Sequence, residues 1–441
     1  MGTRTKMNIL EKLGLDKIGS PAPDGSSTAV GMAHPSAAAA RHSLRLGIDV
    51  PLLLITASLL VFGLLMVYSA SSDLSFRIYG DATYFFRRQL MWVCLGCVVA
   101  AFCAWMNYHY WRLLSVPVML GTIVLLILVL VLHNDRLGAT RALAGGSYQP
   151  SELAKLIMVV YLSVWLYSRR DQIHEWGFGL IPLGLILGIV AGLIMLQPDL
   201  SAVVTIVVLG GFLFFLAGGE LRQIGFLLIL GGLVVILLIS SRLFPTGMDR
   251  IRDWWEGIKN ILASPPQVKR SIEAFVRGGW IGVGIGKSIV KTTGLPVPQT
   301  DSIFAVVGEE TGVLGASVLV LLYVGILWRG LRISQRAPDG MGKLLSAGLA
   351  FWLVLEAVIN MAVMVGLLPV AGNALPFISA GGSNMVVSLL AVGILLNVSR
   401  QGEYTQEQQE RSFNAVVDLR GRDRRRRVSR PVRSASPDPR Q

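Results

Sequence analysis

The sequence predicts an all-α polytopic membrane protein with about ten transmembrane helices and a large extracytoplasmic loop between helices 7 and 8. Hydrophobic residues make up 53% of the 441-residue chain and charged residues only 15%, and the apolar residues occur in long runs. Each run is close to the roughly 20 residues that a helix needs to cross a bilayer. The expected spans are about 50–70, 89–106, 112–132, 152–168, 178–197, 201–217, 222–242, 306–328, 344–366 and 382–399.

The chain divides into three parts. Residues 1–48 are rich in Pro, Gly, Ser and Ala and are expected to be a disordered cytoplasmic segment. The first apolar run begins too late for a cleaved signal peptide, so we expect it to be retained as a helix. Residues 49–400 are the ten-helix domain with its extracytoplasmic loop 243–305, in which the mixed pattern of 248–262 predicts an interfacial helix. Residues 401–441 are a basic cytoplasmic tail expected to meet anionic lipid; without a folded basic domain, nucleic acid is not an expected partner.

Basic residues predict the orientation. They concentrate in alternate links between the spans and in the tail, and the positive-inside rule places those links in the cytoplasm. Because the number of spans is even, both termini are then cytoplasmic. The basic residues of the cytoplasmic links are Arg169, Arg170, Arg222, Arg329, Arg332, Arg336 and Lys343.

Asp301 is the main candidate for chemistry. It ends a long polar loop immediately before the eighth span, where an ionisable group is costly to desolvate. A helix N-cap is the alternative role for it. Glu309 and Glu310 follow two turns later inside the apolar span, where helix packing alone does not require them. A general base needs such a carboxylate held near a hydroxyl group.

A second polar stretch precedes the fourth span. Pro150 has the first-turn position that proline favours, so Gln149 is a plausible cap and Ser151 begins the helix. Glu152 and Lys155 are three residues apart and can pair on one helix face. The pair is either structural or lines a polar cavity beside Arg141.

Two further links carry unusual polar sequence. Asp199, in the tight turn before the sixth span, is a good N-cap. Residues 368–383 hold two prolines and a Gly-Gly pair in an apolar context, which predicts a broken helix at membrane depth. Backbone amides there, with Ser379 and Ser383, would hold an anion.

Two other motifs have a simpler interpretation. Residues 282–288 suggest a phosphate loop, but the Walker pattern requires glycine where Ile281 stands. We therefore expect a flexible, tightly packed turn there and no bound nucleotide. Cys94, Cys97 and Cys103 fall in one apolar span without a nearby histidine, so packing inside a helix is favoured over redox or metal chemistry.

Six motifs, in this order, make the chain resemble the SEDS family (shape, elongation, division and sporulation) of cell-wall polymerases. Together they cover roughly residues 50–400 and are specific as a set. They are Tyr68–Ser71, Phe86–Leu90, Gln149–Lys155, Gln197–Asp199, Leu295–Glu310 and Leu375–Ser383.

The resemblance implies a peptidoglycan glycosyltransferase of the bacterial plasma membrane that polymerises lipid II during division or elongation. It implies that Asp301 matches the family's essential aspartate and that Glu152 and Lys155 match its Glu and Lys of the fourth helix. Phe86–Gln89 and the long terminal extensions favour the division type, FtsW, over RodA. The proposed substrate-binding residues are Arg88, Arg141, Gln149, Ser151, Glu152, Lys155, Asp199, Glu309, Ser379 and Ser383.

The chain departs from the family's pattern at four places. Many relatives have Pro-Glu-Ala-His where this chain has Pro296–Gln299, so this sequence gives no support for a role of that Glu and His. Ser302 replaces a common Phe, and Ala380 replaces a common Tyr. Ala142 replaces a Trp that often follows the arginine at the position of Arg141. None of these changes removes an ionisable group proposed here as catalytic.

Three functional hypotheses follow from these residues. The first is an enzyme in which Asp301 is the general base, and Arg88, Arg141, Lys155 or a divalent cation (Mg²⁺ or Mn²⁺) stabilises the leaving pyrophosphate. The second is a flippase for the lipid-linked precursor, which polar groups at membrane depth and a broken helix also suit. The third is a non-catalytic scaffold of the cell-wall synthesis complex.

The resemblance also implies protein partners. The first is a class B penicillin-binding protein, a transpeptidase with one transmembrane helix; others are membrane proteins of the divisome or elongasome. Gly315, Ala316, Gly348 and Ala350 in the eighth and ninth spans would let the partner helix approach closely. The alternative is that these small residues pack the chain against itself.

Overall fold

The computed structural model describes residues 47–132, 149–240 and 245–427, and helices dominate these ranges. Eight of the described helices are long and apolar enough to cross a membrane, which confirms a polytopic all-α membrane protein. The helices are α1 (Val50–Tyr79), α2 (Tyr84–Trp105), α3 (Tyr110–Val131), α4 (Pro150–Ser168), α5 (Ile181–Met195), α6 (Leu200–Leu216), α7 (Leu221–Ser240), α8 (Pro245–Lys259), α9 (Pro266–Gly278), α10 (Ile303–Arg336), α11 (Gly340–Met364) and α12 (Gly382–Arg427).

The predicted sixth and seventh spans coincide with two shorter apolar stretches of helix, Leu200–Leu216 and Leu221–Leu233. The count of ten crossings therefore remains a prediction. A π-helical turn, Trp176–Leu180, leads into α5 and lengthens the fifth span. At the other end of the chain, α12 continues as a helix through 401–427, the first part of the segment assigned to the tail.

Helices α4, α11 and α12 form the centre of the bundle. Most residues of their apolar spans are buried, whereas α1, α2 and α3 leave most of theirs exposed, as expected of helices that face lipid. Helix α12 packs along α2, α10 along α11, and α3 along α4. Polar side chains on α4 and α11 are consequently enclosed by protein.

Helix α10 is interrupted at Gly312, a break that the sequence did not predict. Its φ of 67° lies in the left-handed region, and a Cβ there would stand 2.5 Å from the backbone nitrogen of Gly282, so only glycine fits. The loop before α10 fills the break. The amides of Val313 and Leu314 donate to the carbonyls of Gly279 and Trp280, and the amides of Val283 and Gly284 donate to those of Glu309 and Glu310.

The predicted loop 243–305 contains two helices in the structure. Helix α8 covers most of the predicted interfacial helix, and the indole of Trp254 donates to the carbonyl of Gly366, 3.1 Å away. Helix α9 was not predicted, because its short polar sequence gives no apolar run. The rest of the loop runs from Gly279 to Ser302 and contains Asp301 near its end.

The segment between α11 and α12 has irregular backbone, as its prolines and glycines indicate. Phe377 has a φ of 66°, and the Tyr323 hydroxyl donates to the Pro376 carbonyl over 2.5 Å. The side chains of Leu375, Phe377 and Ile378 are fully buried. Irregular backbone at this depth is tolerated because protein surrounds it.

The small residues of α11 do not form a surface for a partner helix. Gly348 faces α4 and α6, where an added Cβ would stand 2.8 Å from side-chain atoms of both Val159 and Leu213. Ala350 is fully buried against Gly330. The prediction that these two residues accept a partner is therefore wrong, because α11 lies at the centre of the bundle.

Candidate functional site

Asp301 is half-buried at the junction between the long loop and α10. The helix begins at Ile303, and Ser302 occupies the N-cap position that the sequence offered to Asp301 as an alternative. The Ser302 hydroxyl donates to the Pro296 carbonyl over 2.7 Å, which closes the turn before the helix. Asp301 therefore lies one residue outside the helix start.

Three successive backbone carbonyls, those of residues 299–301, are held by the bundle. The side-chain amide of Asn360 on α11 donates to the Asp301 carbonyl over 2.9 Å. The Ser379 hydroxyl donates to the Thr300 carbonyl over 2.7 Å, and the Ala380 amide donates to the Gln299 carbonyl over 2.8 Å. The irregular segment before α12 thus packs directly on the peptide that carries Asp301.

A buried group of charges joins α4, α11 and α12. The Lys155 ammonium lies 2.9 Å from Glu152 and 2.7 Å from Glu356, and the Asn384 amide donates to the second oxygen of Glu152 over 3.2 Å. All four side chains are nearly inaccessible to solvent. The predicted pairing of Glu152 with Lys155 is present, and Glu356 is a third member that the sequence argument missed.

Asp199 caps α6, as predicted, and also binds α4. One carboxylate oxygen accepts from the Ala202 amide over 3.3 Å. The other accepts from the Ser151 hydroxyl and the Gln149 side-chain amide, each over 3.0 Å. Gln149 precedes α4 without capping it by its side chain, and its backbone amide donates to the Ser383 hydroxyl over 3.2 Å. Four of the predicted binding residues thus form one cluster.

Glu309 and Glu310 hold the glycine-rich segment of the loop. Glu309 accepts from the amides of Ile289 and Val290, over 3.1 and 3.2 Å, and from the Ser288 hydroxyl. Glu310 accepts from the Ser69 hydroxyl of α1 over 2.6 Å and lies 3.4 Å from the Lys291 ammonium. Residues 283, 284 and 288 are bound to α10, whereas 285–287 are exposed, so the predicted tight packing holds only at the two ends of the glycine-rich segment. A substrate role for Glu309 remains a prediction.

Arg88 lines an open cavity of about 600 Å³ on the outer face of α2. Its neighbour Arg87 pairs with Asp81, and hydrogen bonds from Thr83 hold the pKa of Asp81 below its usual value. The cavity is mostly apolar with the guanidinium groups beside it. It is lined by Tyr84, Arg87, Arg88, Met91, Trp92 and Leu95. Arg141, with the rest of 133–148, lies outside the described residues.

The groups around Asp301 and Lys155 are connected through two asparagines that the sequence argument did not single out. Asn360 donates to the carbonyl of Asn373 over 2.6 Å, and the Asn373 side chain donates to the carbonyl of Glu356 over 3.1 Å. A lone acidic residue inside the predicted ninth span was a signal for Glu356. Asparagines carry no comparable charge or periodicity signal.

The described residues supply a half-buried carboxylate, Asp301, that can accept a proton, and a guanidinium group, Arg88, that lines an apolar cavity on α2 and can bind an anion. In the described ranges no three acidic, histidine or cysteine side chains converge as metal ligands. Mg²⁺ is commonly held by one or two carboxylates together with substrate phosphates. The single carboxylate of Asp301 therefore fits a cation only when a phosphorylated substrate supplies further ligands.

The chain matches known proteins over most of its length. Residues 50–404 match the model of the FtsW, RodA and SpoVE family, described as cell cycle protein. A probable peptidoglycan glycosyltransferase FtsW from Trichlorobacter lovleyi is 36% identical over 356 residues, 80% of this chain and 93% of the relative. Stage V sporulation protein E from Bacillus subtilis is 36% identical over 363 residues, 81% of this chain and 98% of the relative.

Solved structures show the same fold. One, described as the structural coordination of polymerization and crosslinking by a peptidoglycan synthase complex, aligns with a TM-score of 0.65 and 25% identity, covering 80% of this chain and 98% of the other. The rod shape determining protein RodA of Thermus thermophilus aligns with a TM-score of 0.60 and 25% identity, covering 81% of this chain and 98% of the other.

Proposed function

The chain belongs to the family of FtsW, RodA and SpoVE, and from this premise we infer that it is a peptidoglycan glycosyltransferase with Asp301 as its general base. The enzyme polymerises lipid II into glycan strands. The role of Asp301 is supported by the three successive backbone carbonyls of residues 299–301, which buried groups of the bundle hold in place. Such anchoring fixes the backbone that carries a carboxylate for proton transfer.

The reaction joins two lipid-linked sugars. The Asp301 carboxylate accepts the proton of the acceptor's 4-hydroxyl, and the oxygen attacks the anomeric carbon of the donor. The bond from that carbon to the pyrophosphate breaks, the α-linkage inverts to a β-linkage, and undecaprenyl pyrophosphate leaves. A positioned general base typically contributes about 10²–10⁴-fold to such a step.

The leaving pyrophosphate needs positive charge. Arg88, beside its apolar cavity, suits a ligand with an anionic head and an isoprenoid tail. Lys155 is less suited to direct contact, because two carboxylates already hold its buried ammonium. We assign Lys155, Glu152 and Glu356 to fixing α4 against α11. A divalent cation would be held by Asp301 and the substrate's own phosphates.

Detergent-solubilised protein distinguishes an enzyme from a flippase. We expect purified protein, with its transpeptidase partner present, to form glycan chains from lipid II in detergent, where the two sides of a membrane do not exist. Asp301→Asn, which keeps the shape of the side chain, should slow product formation by about 10²–10⁴-fold. Lipid translocation in vesicles without any glycan in detergent would favour the flippase, and growth supported by inactive variants would favour the scaffold.

We place the protein in the bacterial plasma membrane with Asp301 on the extracytoplasmic side. In a variant without native cysteines, Thr293→Cys, in the exposed loop before Asp301, should react with a membrane-impermeant maleimide in intact spheroplasts. Asp171→Cys, exposed in the link after α4, should react only after lysis. The reverse pattern would contradict this orientation, in which both termini are cytoplasmic.

We propose a class B penicillin-binding protein as the partner, since a tethered transpeptidase meets the new glycan at high effective concentration. Similarity to a chain from a complex described as coordinating polymerization and crosslinking supports this. Because Gly348 and Ala350 are buried inside the bundle, their substitution is not the test of docking. Co-purification from membranes and partner-stimulated polymerisation are the direct tests; absence of both would refute the pairing.

We favour a role in division over a role in elongation, because the named relatives include FtsW and SpoVE proteins at 36% identity. A fluorescent fusion should concentrate at the septum, and depletion should give filaments of undivided cells. Loss of rod shape without filamentation would indicate elongation instead.

A further inference from the structure

Asn360 is the buried side chain of α11 that binds the Asp301 backbone. It is 1% exposed, and its single amide nitrogen donates to two carbonyls, that of Asp301 over 2.9 Å and that of Asn373 over 2.6 Å. Because a side-chain amide nitrogen has two hydrogens, both donors are used and the orientation of the group is fixed. The amide therefore ties two non-helical segments to one point on a central helix.

We propose that Asn360 is a positioning residue for Asp301, setting the peptide from which the carboxylate projects. This inference rests on the proposed role of Asp301 as general base. Asn360 does not touch the reacting atoms; it acts by holding the Asp301 carbonyl. Misplacement by about 1 Å costs roughly a hundredfold in rate for well-oriented groups, so a tie of this kind affects the chemical step more than binding.

The local turn does not fix Asp301 by itself. Within residues 297–302 the hydrogen bonds are short-range, such as that from the Thr300 amide to the Val297 carbonyl over 3.1 Å. The side-chain amide of Gln267 on α9 donates to the Ser302 hydroxyl over 3.0 Å, and the three carbonyls of residues 299–301 are bound by Asn360, Ser379 and Ala380. Of these last three, Asn360 stands on a regular helix.

Asn360 also connects the turn to the buried charges. Its partner Asn373 donates to the carbonyl of Glu356, whose side chain lies 2.7 Å from the Lys155 ammonium. Glu356 and Asn360 are four residues apart, one turn along α11, and share a face. The Asp301 peptide is thus held by the same stretch of α11 that holds Lys155.

Asn397 offers a matched control. It is fully buried on α12, donates to the Ala104 carbonyl over 2.8 Å and accepts from the Tyr108 amide over 2.9 Å. Like Asn360, it binds backbone outside its own helix, here at the end of α2 and in the link between α2 and α3. A purely structural role predicts that equivalent substitutions of the two asparagines have equivalent effects.

The experiment compares Asn360→Leu with Asn397→Leu, using purified full-length protein with its partner and lipid II in detergent. Thermal unfolding, kcat and KM are measured, with rates normalised to folded protein. We expect both variants to unfold at lower temperature, Asn360→Leu to lose about tenfold to a hundredfold in kcat with little change in KM, and Asn397→Leu to keep its kcat. If Asn360→Leu does not fold, Asn360→Gln, which keeps the amide but displaces it by one methylene, takes its place with a smaller expected loss.

Asn360→Leu is also combined with Asp301→Asn. If Asn360 acts through Asp301, the double variant is no slower than Asp301→Asn alone. Equal kcat values for the Asn360 and Asn397 variants, or additive losses in the double variant, would overturn the inference. Full activity of Asp301→Asn would instead overturn the proposed base, so the two failures are distinguishable.

Discussion

The two ends of the helical bundle use buried polar groups differently. At the Asp301 end, which also holds Gln149, Asp199 and Ser383, side chains bind non-helical backbone and one another across several helices. At the opposite end, marked by Asp49 and Asp339, both aspartates cap a helix with one carboxylate oxygen. The opposite end also joins distant elements, since Arg329 of α10 pairs with Asp49 and the Tyr108 hydroxyl donates to Asp339.

The Asp301 end contains more than termini require. It has a transmembrane helix broken at Gly312, a buried irregular segment before α12, and the trio of Lys155 with Glu152 and Glu356. Strained backbone and buried charge are each destabilising, and persist where the surrounding structure enforces them. The Asp301 end is therefore the one where the protein tolerates destabilising features that hold its side chains in a defined geometry.

The largest expected loss of stability comes from Lys155→Met. This substitution leaves two buried carboxylates without their shared cation, at a cost of about 3–5 kcal/mol. We expect the lowest unfolding temperature of the variants considered, measured by size-exclusion chromatography after heating in detergent. Arg252→Met, which removes an exposed ion pair with Glu256 on α8, is the control and should cost less than about 1 kcal/mol.

A second substitution sharpens this prediction. Adding Glu356→Gln to Lys155→Met removes one of the two unpaired charges and should restore part of the lost stability. If Lys155→Met unfolds like the control variant, the two buried carboxylates do not depend on Lys155 to compensate their charge.

An intermediate effect is expected from Gly312→Ala. The new Cβ would force the left-handed backbone and the inserted loop apart, at a cost of about 1–3 kcal/mol. Since the same loop leads to Asp301, polymerisation should fall as well. Gly121→Ala, on α3 with open space around it, is the matched control and should be neutral or slightly stabilising. Equal melting temperatures for the two alanine variants would show that the break at Gly312 is not enforced.

The smallest effect belongs to Tyr108→Phe at the opposite end. Burial and a hydrogen bond to Asp339, 2.7 Å long, raise the pKa of Tyr108, so its hydroxyl remains a donor at physiological pH. Losing that bond, which is made to a carboxylate, should cost about 1.5 kcal/mol and leave the polymerisation rate unchanged. A large loss of activity would contradict the division of roles between the two ends.

Apolar runs and proline signals predicted most of the fold. Pro150 at the start of α4 and Asp199 at the cap of α6 stand where expected, because both depend on neighbouring residues alone. Helix α9 and the break at Gly312 were missed, since the first lacks an apolar run and the second depends on a loop that inserts from outside the helix. Gly348 was assigned to the surface because sequence does not show which face of an apolar helix meets lipid.

Charge predicted part of the candidate site. Sequence predicts Asp301, Glu152 and Lys155 because ionisable groups are rare at the boundaries of apolar spans and inside them. Asn360 and Asn373 were not predicted, because a buried amide acquires its importance only when the fold brings distant carbonyls to it. Pairings such as Lys155 with Glu356, separated by 201 residues, are likewise set by packing.

The most direct test compares one isosteric change at each end, Asp301→Asn and Asp339→Asn, in the same lipid II polymerisation assay with the partner present. Asparagine keeps the cap of α11 at 339, so that variant should polymerise within about a factor of two of the unmodified protein. Asp301→Asn removes the proposed base and should slow the reaction by about 10²–10⁴-fold, with an unchanged unfolding temperature. Equal rates for the two variants would contradict the assignment of the chemistry to the Asp301 end.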